Sequence, residues 1–161
     1  MTPAYIALGS NLASPHQQLT RAVAALQTLV DTQLLRTSSV YRSPAVGPGT
    51  QPDYLNAVVL LTTRLAPKAL LDAMHEIELA QGRVRDLHWG PRTLDLDLLV
   101  FGNQRSQSEA LTLPHPGIAE RGFVLVPLAD IAPTMRVPGL GTVEQLLRQL
   151  PETGIAGKVD A

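Results

Sequence analysis

The chain has 161 residues, which at about 150 residues per domain predicts one domain of ordinary size. Hydrophobic residues make up 45% of it and can fill a core, while the formal net charge of −1 gives no global attraction to nucleic acid or to an anionic membrane. The absence of cysteine excludes disulfides, thiolate metal sites and cysteine nucleophiles, so any metal must be held by oxygen or imidazole ligands.

The sequence also gives no sign of a membrane segment or of a targeting segment. No stretch approaches the roughly 20 apolar residues of a membrane helix, and the first residues lack the basic region of a signal peptide. We therefore expect a cytoplasmic protein that is monomeric and has neither a membrane nor a nucleic acid as partner.

The first predicted element is a buried strand. Residues 4–8 form a short apolar run, and a Gly-Ser-Asn turn at residues 9–11 ends it. A helix should follow with Pro15 at its first position, because Ser14 is a good N-cap and Gln17 completes a capping box.

The middle of the chain predicts two further strands and a second helix. Residues 34–41 are rich in β-branched and hydroxyl side chains, which favours a strand. Residues 43–53, with three prolines and two glycines, predict a long loop, and residues 56–63 predict the third strand. A helix should then begin at Pro67 and end near Gly82.

The second half begins with a loop over residues 83–92, followed by a strand over residues 93–101. Beyond it we expect a short strand at residues 111–113, another strand at residues 123–126, and a helix with Thr142 as its N-cap.

The order β-α-β-β-α-β is that of the ferredoxin-like α/β sandwich, an α+β fold in which helices pack on the face of an antiparallel sheet. Residues 1–161 would then form a single domain, and residues 152–161 would form a flexible tail. Many functions share this fold, so the functional prediction has to come from a site.

Two carboxylates provide the strongest chemical signal. Asp95 and Asp97 alternate with leucines along the predicted strand, so they share one face with Cα atoms roughly 6.5 Å apart. Such a pair is often only the solvated face of a strand. Here like charges would repel, aspartate is a poor strand former, and Arg92 lies just upstream. We therefore predict a Mg²⁺ site, and Mg²⁺ commonly shares a phosphate oxygen of a nucleotide.

Arginines are the candidate phosphate ligands, because the sequence has neither a Walker loop nor a Gly-x-Gly-x-x-Gly turn. Arg83, Arg85, Arg92 and Arg121 are candidates, with His115 as a further donor. Each arginine could equally be a solvated surface residue, and His115, between two prolines, could be a structural turn residue.

Several short blocks carry a resemblance to a known family. They are Tyr-Ile-Ala-Leu-Gly-Ser-Asn at residues 5–11, Tyr-Arg-Ser-Pro at 41–44, Gln-Pro-Asp-Tyr-Leu-Asn at 51–56, Gly-Arg at 82–83, Trp-Gly-Pro-Arg-Thr-Leu-Asp-Leu-Asp at 89–97, Leu-Pro-His-Pro at 113–116 and Arg-Gly-Phe at 121–123. In order and spacing they resemble 6-hydroxymethyl-7,8-dihydropterin pyrophosphokinase, and the Gly-Pro-Arg-Thr-Leu-Asp-Leu-Asp segment is the most specific of them.

The resemblance implies a folate-pathway enzyme that transfers the β,γ-diphosphate of ATP to the hydroxymethyl group of the dihydropterin and releases AMP. It implies two Mg²⁺ ions on Asp95 and Asp97, and a loop that closes over the nucleotide and brings the catalytic residues Arg83 and Arg92 to the phosphates. The positions it assigns to ATP are Glu78, Arg85, Trp89, Arg92, Leu98, Thr112, His115 and Arg121. The positions it assigns to the pterin are Ser43, Val46, Tyr54, Asn56 and Phe123.

Two other classes of function remain open. The chain could be a ferredoxin-like binding or regulatory domain without activity, or an RNA-binding module in which Trp89, Tyr54 and Phe123 stack on bases, which the net charge supports only weakly. The chain also differs from some members of the resembled family at Ala110, where they have arginine, and at His75, where they have glutamine. We expect these differences to affect ATP affinity rather than the reaction.

Overall fold

The structure is a computed structural model that describes residues 1–12, 14–45, 51–82 and 94–159. Its first half contains β1 (Thr2–Ser10), α1 (Pro15–Gln27), β2 (Thr32–Thr37), β3 (Val40–Ser43), β4 (Tyr54–Thr63), α2 (Pro67–Ala80) and β5 (Asp95–Phe101). The second half contains β6 (Ser106–Gln107), β7 (Thr112–Leu113), a 3₁₀ turn (Ile118–Glu120), α3 (Gly122–Ile131), β8 (Arg136–Val137), β9 (Gly141–Thr142), α4 (Val143–Gln149) and β10 (Gly157–Val159).

The main sheet is antiparallel and has the strand order β10-β3-β4-β1-β5, with β2 pairing along β4 beside β3. The predicted strand over residues 34–41 is therefore two strands. Ser38 separates them, because its hydroxyl accepts a hydrogen bond from the N–H of Val58 at 2.9 Å and takes the place of a backbone acceptor. If β2 and β3 are counted together, the predicted β-α-β-β-α-β order is confirmed.

Helices cover both faces of this sheet. On one face α1 and α2 pack through residues such as Leu26 and Met74, both fully buried. On the opposite face α3 and α4 pack through Leu128 and Leu146. The predicted α+β, ferredoxin-like architecture is confirmed, with a second pair of helices added on the far face. Among the described residues, no helix is both long enough and apolar enough to cross a membrane.

The strand predicted at residues 123–126 is wrong, because these residues form the first turns of α3. A short apolar run does not distinguish a strand from a helix that is buried on most sides. Val124, Leu125 and Leu128 are all buried against the sheet at helical spacing, while Phe123 stays 38% exposed. The helix also tolerates Pro127, which has no N–H to donate to the carbonyl one turn earlier.

The two predicted helix caps have opposite outcomes. Ser14 has φ of 60° and makes no side-chain cap, so the capping box with Gln17 is wrong, although the helix does begin at Pro15. The proline ring presets the helical φ, and the N–H that it lacks is one of the first-turn donors that have no partner within the helix. The capping box of Thr142 with Gln145 is confirmed, with both reciprocal hydrogen bonds present.

Residues 152–159, the described part of the predicted tail, make backbone contacts with the rest of the domain. β10 pairs with β3, and the N–H of Ala156 donates to the carbonyl of Arg42 at 2.8 Å. The carbonyl of Thr153 lies so close to Gly122 that a Cβ at that glycine would be 1.8 Å from the oxygen. Backbone hydrogen bonds hold this segment together with Val159, which packs against the core on the α1 and α2 face.

Candidate active site

A row of residues crosses the sheet from β3 to β5. Tyr41 lies opposite Asn56, Asn56 lies opposite Gly9, and Gly9 lies opposite Asp95. Directly opposed residues of antiparallel strands point to the same face. This is the face of α3, since Val58, two residues along β4 from Asn56, packs in the α3 core. The carboxylate of Asp95 and the carboxamide of Asn56 therefore share one surface.

Gly9 lies between these two side chains on the sheet. Asn56 and Asp95 are two strand spacings apart, which is about 10 Å. A Cβ at Gly9 would be 3.6 Å from Asn56 Oδ1 and 3.7 Å from Cδ1 of Tyr54. Gly9 itself contributes only backbone between the carboxamide and the carboxylate, and the side chains of Asn56 and Tyr54 border it.

The aspartate pair has the predicted geometry. Asp95 and Asp97 are half-buried on the α3 face, whereas Leu96 and Leu98 are buried in the core on the opposite face. The Asp97 side chain is 44% exposed. Two accessible carboxylates on one strand face fit Mg²⁺, which completes its shell with water and phosphate oxygens. Among the described residues, no group of three His, Asp or Glu side chains is arranged to hold a metal ion.

His115 lies beside Asp97, with its Nε2 3.8 Å from Asp97 Oδ1. Its Nδ1 accepts the N–H of Gly117 at 3.2 Å, so the proton of the neutral ring is on Nε2 and faces the carboxylate. Burial lowers the pKa of His115, an effect that Asp97 opposes and Arg121 reinforces. His115 is therefore both a turn residue and a neutral N–H donor at the site.

Arg121 and Phe123 adjoin His115. The Arg121 guanidinium lies over the Phe123 ring, 5.8 Å from its centroid, and its Nε is 2.6 Å from where a Cβ of Gly117 would be. This cation–π contact orients the guanidinium at the start of α3. The structure thus brings Asp97, His115, Arg121 and Phe123 to one side of the site.

The carboxamide of Asn56 has a fixed orientation. Asn56 is 4% exposed, and its Nδ2 donates to the Tyr41 carbonyl at 3.2 Å and to the Ser43 hydroxyl at 2.8 Å. With both amide protons engaged in this way, Oδ1 is turned toward Gly9. The site therefore presents a buried acceptor whose direction the neighbouring strand determines.

Three of the positions assigned to ATP lie at or near the outer edge of β5. Glu78 is 3% exposed on α2, and its Oε2 accepts the N–H of Leu96 at 2.9 Å. The Leu98 side chain is buried in the core, so only its backbone is available at that edge. Thr112 is half-buried on β7 and donates to the Ser108 carbonyl at 3.4 Å. The structure separates these positions from Asn56 and Ser43.

Five of the predicted site residues fall outside the described residues: Val46, Arg83, Arg85, Trp89 and Arg92. The loop predicted to close over the nucleotide falls outside them as well.

Sequence reasoning missed Tyr41 and Asp130, which connect the site to α3 across 89 positions of the chain. The Tyr-Arg-Ser-Pro block at residues 41–44 contains Tyr41 and could have marked it as a site residue. Nothing in the local sequence marks Asp130.

Comparisons with known proteins identify the family to which the chain belongs. A family model described as 7,8-dihydro-6-hydroxymethylpterin-pyrophosphokinase matches residues 5–133. A 2-amino-4-hydroxy-6-hydroxymethyldihydropteridine pyrophosphokinase of Pseudomonas aeruginosa is 50% identical over 151 residues, covering 94% of this chain and 93% of that protein. The enzyme of the same name from Haemophilus influenzae is 48% identical over 152 residues, covering 94% of this chain and 95% of that protein.

Among solved structures, the fold is similar to that of an "HPPK-DHPS in complex with substrates", with a TM-score of 0.70 at 12% identity. The match covers 92% of this chain and 45% of that longer chain, and at this identity it supports the fold alone. Family membership rests on the family model and on the two bacterial relatives. The chain belongs to the 7,8-dihydro-6-hydroxymethylpterin-pyrophosphokinase family.

Proposed function

We propose that this chain is a pterin pyrophosphokinase of folate biosynthesis. It transfers the β,γ-diphosphate of ATP to the hydroxymethyl group of 6-hydroxymethyl-7,8-dihydropterin and releases AMP. The observation that carries this proposal is the row Asn56–Gly9–Asp95, in which a fixed hydrogen-bond acceptor and a carboxylate stand on either side of a residue without a side chain. A flat ring that binds Asn56 extends over Gly9 toward the aspartates.

The pterin side of the site consists of Asn56, Ser43, Tyr54, Phe123 and Val46. The pyrimidine ring of a pterin presents N–H donors, and the Oδ1 of Asn56 can accept hydrogen bonds from them. Ser43 and a backbone carbonyl hold the Asn56 amide in the orientation that this requires. The rings of Tyr54 and Phe123 would stack on the two faces of the pterin. A site of this kind rejects rings that lack the matching donors, because its buried polar atom would remain unpaired.

The phosphate side of the site is organised around Asp95 and Asp97. These carboxylates would hold two Mg²⁺ ions, which, when bound, neutralise phosphate charge and lower the pKa of the substrate hydroxyl. His115 donates from Nε2 beside Asp97, and Arg121, whose charge acts on His115, offers a guanidinium. Arg83 and Arg92 would bind the transferred phosphates.

The remaining positions proposed to bind ATP are Glu78, Arg85, Trp89, Leu98 and Thr112. Glu78 and Leu98 lie at the outer edge of β5, on the side of that strand away from Gly9. An ATP molecule that begins at this edge and ends at the aspartates would place its phosphates next to the pterin.

The reaction needs no covalent nucleophile on the protein. Diphosphate transfer is promoted mainly by placing the hydroxyl in line with the phosphate and by neutralising the developing charge. The residues of this chain supply orientation through Asn56 and the two rings, and charge through the aspartates and arginines. We assign no general base.

We also propose that the chain acts as a single monomeric domain in the cytoplasm, with ATP and the dihydropterin as its only substrates and with no nucleic acid or membrane partner.

The test is to incubate the protein with ATP, Mg²⁺ and 6-hydroxymethyl-7,8-dihydropterin and to quantify AMP and the pterin diphosphate. We expect equal amounts of both products, and no AMP when the substrate is replaced by 6-methyl-7,8-dihydropterin, which has no hydroxyl to accept the diphosphate. A binding domain without activity would bind the pterin and form no AMP. An RNA-binding module would shift an RNA probe and form neither product.

A further inference from the structure

Tyr41 contacts both the sheet side and the helix side of the proposed pterin site. Its carbonyl accepts a hydrogen bond from Asn56 Nδ2 at 3.2 Å. Its hydroxyl lies 2.7 Å from each carboxylate oxygen of Asp130, which is on α3. The same carboxylate accepts the N–H of Ser39 at 3.2 Å. One buried side chain thus connects the strand that orients Asn56 with the helix that carries Phe123.

These contacts fix α3 relative to the sheet at one end. Asp130 lies in the last turn of α3 and Phe123 in the first, about two turns or 10 Å apart. Next to Asp130, Arg36 of β2 donates from Nη1 to the Ile131 carbonyl at 2.8 Å, a favourable place for a cation at a helix C-terminus. Because α3 is one continuous helix from Gly122 to Ile131, its anchoring at Asp130 also contributes to where Phe123 lies.

The gap between Phe123 and the sheet matters because stacking is a short-range interaction. A radial gap of about 0.5 to 1 Å already loses a quarter to a half of the dispersion attraction between two surfaces. A small displacement of α3 would therefore weaken stacking on the pterin. The nucleotide positions on β5 and α2 would stay where they are.

We propose that Tyr41 and Asp130 are positioning residues which set the distance between Asn56 and Phe123 and thereby determine the affinity for the pterin ring. This inference rests on the proposed function, because it takes the space between Asn56 and Phe123 to be the pterin site. The two residues act through others: the Tyr41 side chain is buried and its carbonyl is engaged by Asn56.

The experiment measures two dissociation constants by calorimetry, one for 6-hydroxymethylpterin and one for α,β-methylene ATP with Mg²⁺. Tyr41→Phe removes a single oxygen atom and keeps the ring. We expect it to raise the Kd of the pterin about 5- to 10-fold and to change the Kd of the nucleotide less than about twofold. Asp130→Ala should have the same selective effect. The double variant should bind the pterin no more weakly than the weaker-binding single variant, because both substitutions remove the same Tyr41–Asp130 hydrogen bond.

The matched control is Thr142→Ala. It removes the capping box of α4, which packs against α3, and so it destabilises the same layer without touching the hydrogen bonds of Tyr41. Its melting temperature should fall, while both dissociation constants should stay at the wild-type values. If Tyr41→Phe does not fold, Asp130→Asn serves in its place, since it keeps one acceptor oxygen and should raise the Kd of the pterin by a smaller factor.

Several outcomes would overturn the inference. They are an unchanged Kd of the pterin in Tyr41→Phe, equal changes for both ligands, an equal effect of Thr142→Ala on the pterin, or additive effects of the two single variants. If the wild-type protein makes AMP from ATP and the dihydropterin while the variants bind pterin normally, the positioning role fails and the proposed function stands. If the wild-type protein binds no pterin with or without the nucleotide analogue and makes no AMP, both fail.

Discussion

The carboxylate of Glu78 accepts a hydrogen bond from the backbone N–H of Leu96, 2.9 Å away. Leu96 lies between Asp95 and Asp97 on β5, the edge strand of the sheet. An edge strand has N–H groups that no neighbouring strand satisfies, and here a helix side chain satisfies one of them. Glu78 therefore holds the backbone from which both aspartates project.

Replacement of Glu78 should show whether the acceptor or the negative charge matters. In Glu78→Ala the buried N–H of Leu96 loses its partner, so we expect the free energy of unfolding to fall by about 1–3 kcal/mol, together with lower activity. Glu78→Gln keeps an acceptor oxygen and should recover most of the stability. Urea denaturation measures both variants. If Glu78→Gln is as unstable as Glu78→Ala, the hydrogen bond to Leu96 is not the main role of this residue.

Removal of an aspartate should separate activity from stability. Asp97→Ala removes an oxygen ligand from the proposed Mg²⁺ site, and loss of several kcal/mol of transition-state stabilisation corresponds to a decrease in kcat/KM of about 100-fold or more. Because Asp97 is half-exposed and next to a like charge, the melting temperature should not fall. Asp95→Ala should behave in the same way.

Asp72→Ala is the matched control for the aspartate variants. It removes a surface carboxylate that, within the described part of the chain, pairs only with exposed Lys68 in a solvated i,i+4 contact. It should change neither activity nor stability measurably. Near-normal turnover of Asp95→Ala or Asp97→Ala at saturating Mg²⁺ would contradict the proposed metal site.

Removal of the Asn56 carboxamide should affect the pterin more than the nucleotide. Asn56→Ala leaves N–H donors of the ring without their acceptor, so pterin binding should weaken by about 1–3 kcal/mol, while nucleotide binding should change little. Calorimetry with each ligand separately measures both quantities. Equal losses for the two ligands would show that the variant damages the site as a whole.

The features that the sequence predicted correctly depend on neighbouring residues. The alternation of Asp95 and Asp97 with leucines has the period of a strand, and the Thr142 capping box lies within four residues. The features it missed depend on distant ones. α3 is a helix because the sheet and α4 bury it. The hydrogen bond between Tyr41 and Asp130 joins residues that come together only when the chain has folded. The residue types of the site can therefore be predicted from the sequence, whereas the contacts that orient those residues cannot.

Gly122 should tolerate alanine only when the C-terminal segment is absent. Alanine is the better helix former by about 1 kcal/mol, but at this position its Cβ would be 1.8 Å from the Thr153 carbonyl oxygen. In the full chain Gly122→Ala should therefore lower the free energy of unfolding by about 1–3 kcal/mol, because the segment or α3 has to move. In a chain that lacks residues 153–161 the same substitution should be neutral or stabilising. A loss of equal size in both backgrounds would mean that Thr153 is not the obstacle.

The hydroxyl of Tyr41 should make stability depend on pH in the alkaline range. Burial, followed by the hydrogen bond to Asp130 and the charge of that carboxylate, raises the pKa of Tyr41 from 10.0 to about 12. The folded state thus favours the neutral phenol, and this contribution to stability is fully present below pH 10 and is lost as the pH rises through about 12. Phenylalanine has no group that titrates there.

The measurement for this pH dependence is the free energy of unfolding of the wild-type protein and of Tyr41→Phe in urea from pH 8 to pH 12.5. Tyr5 and Tyr54 are present in both proteins, so the difference between the two curves isolates Tyr41. We expect that difference to be constant at the lower pH values, with the wild-type protein the more stable, and to shrink above pH 10. A difference that stays constant up to pH 12.5 would mean that the phenol does not depend on Asp130 in the folded protein.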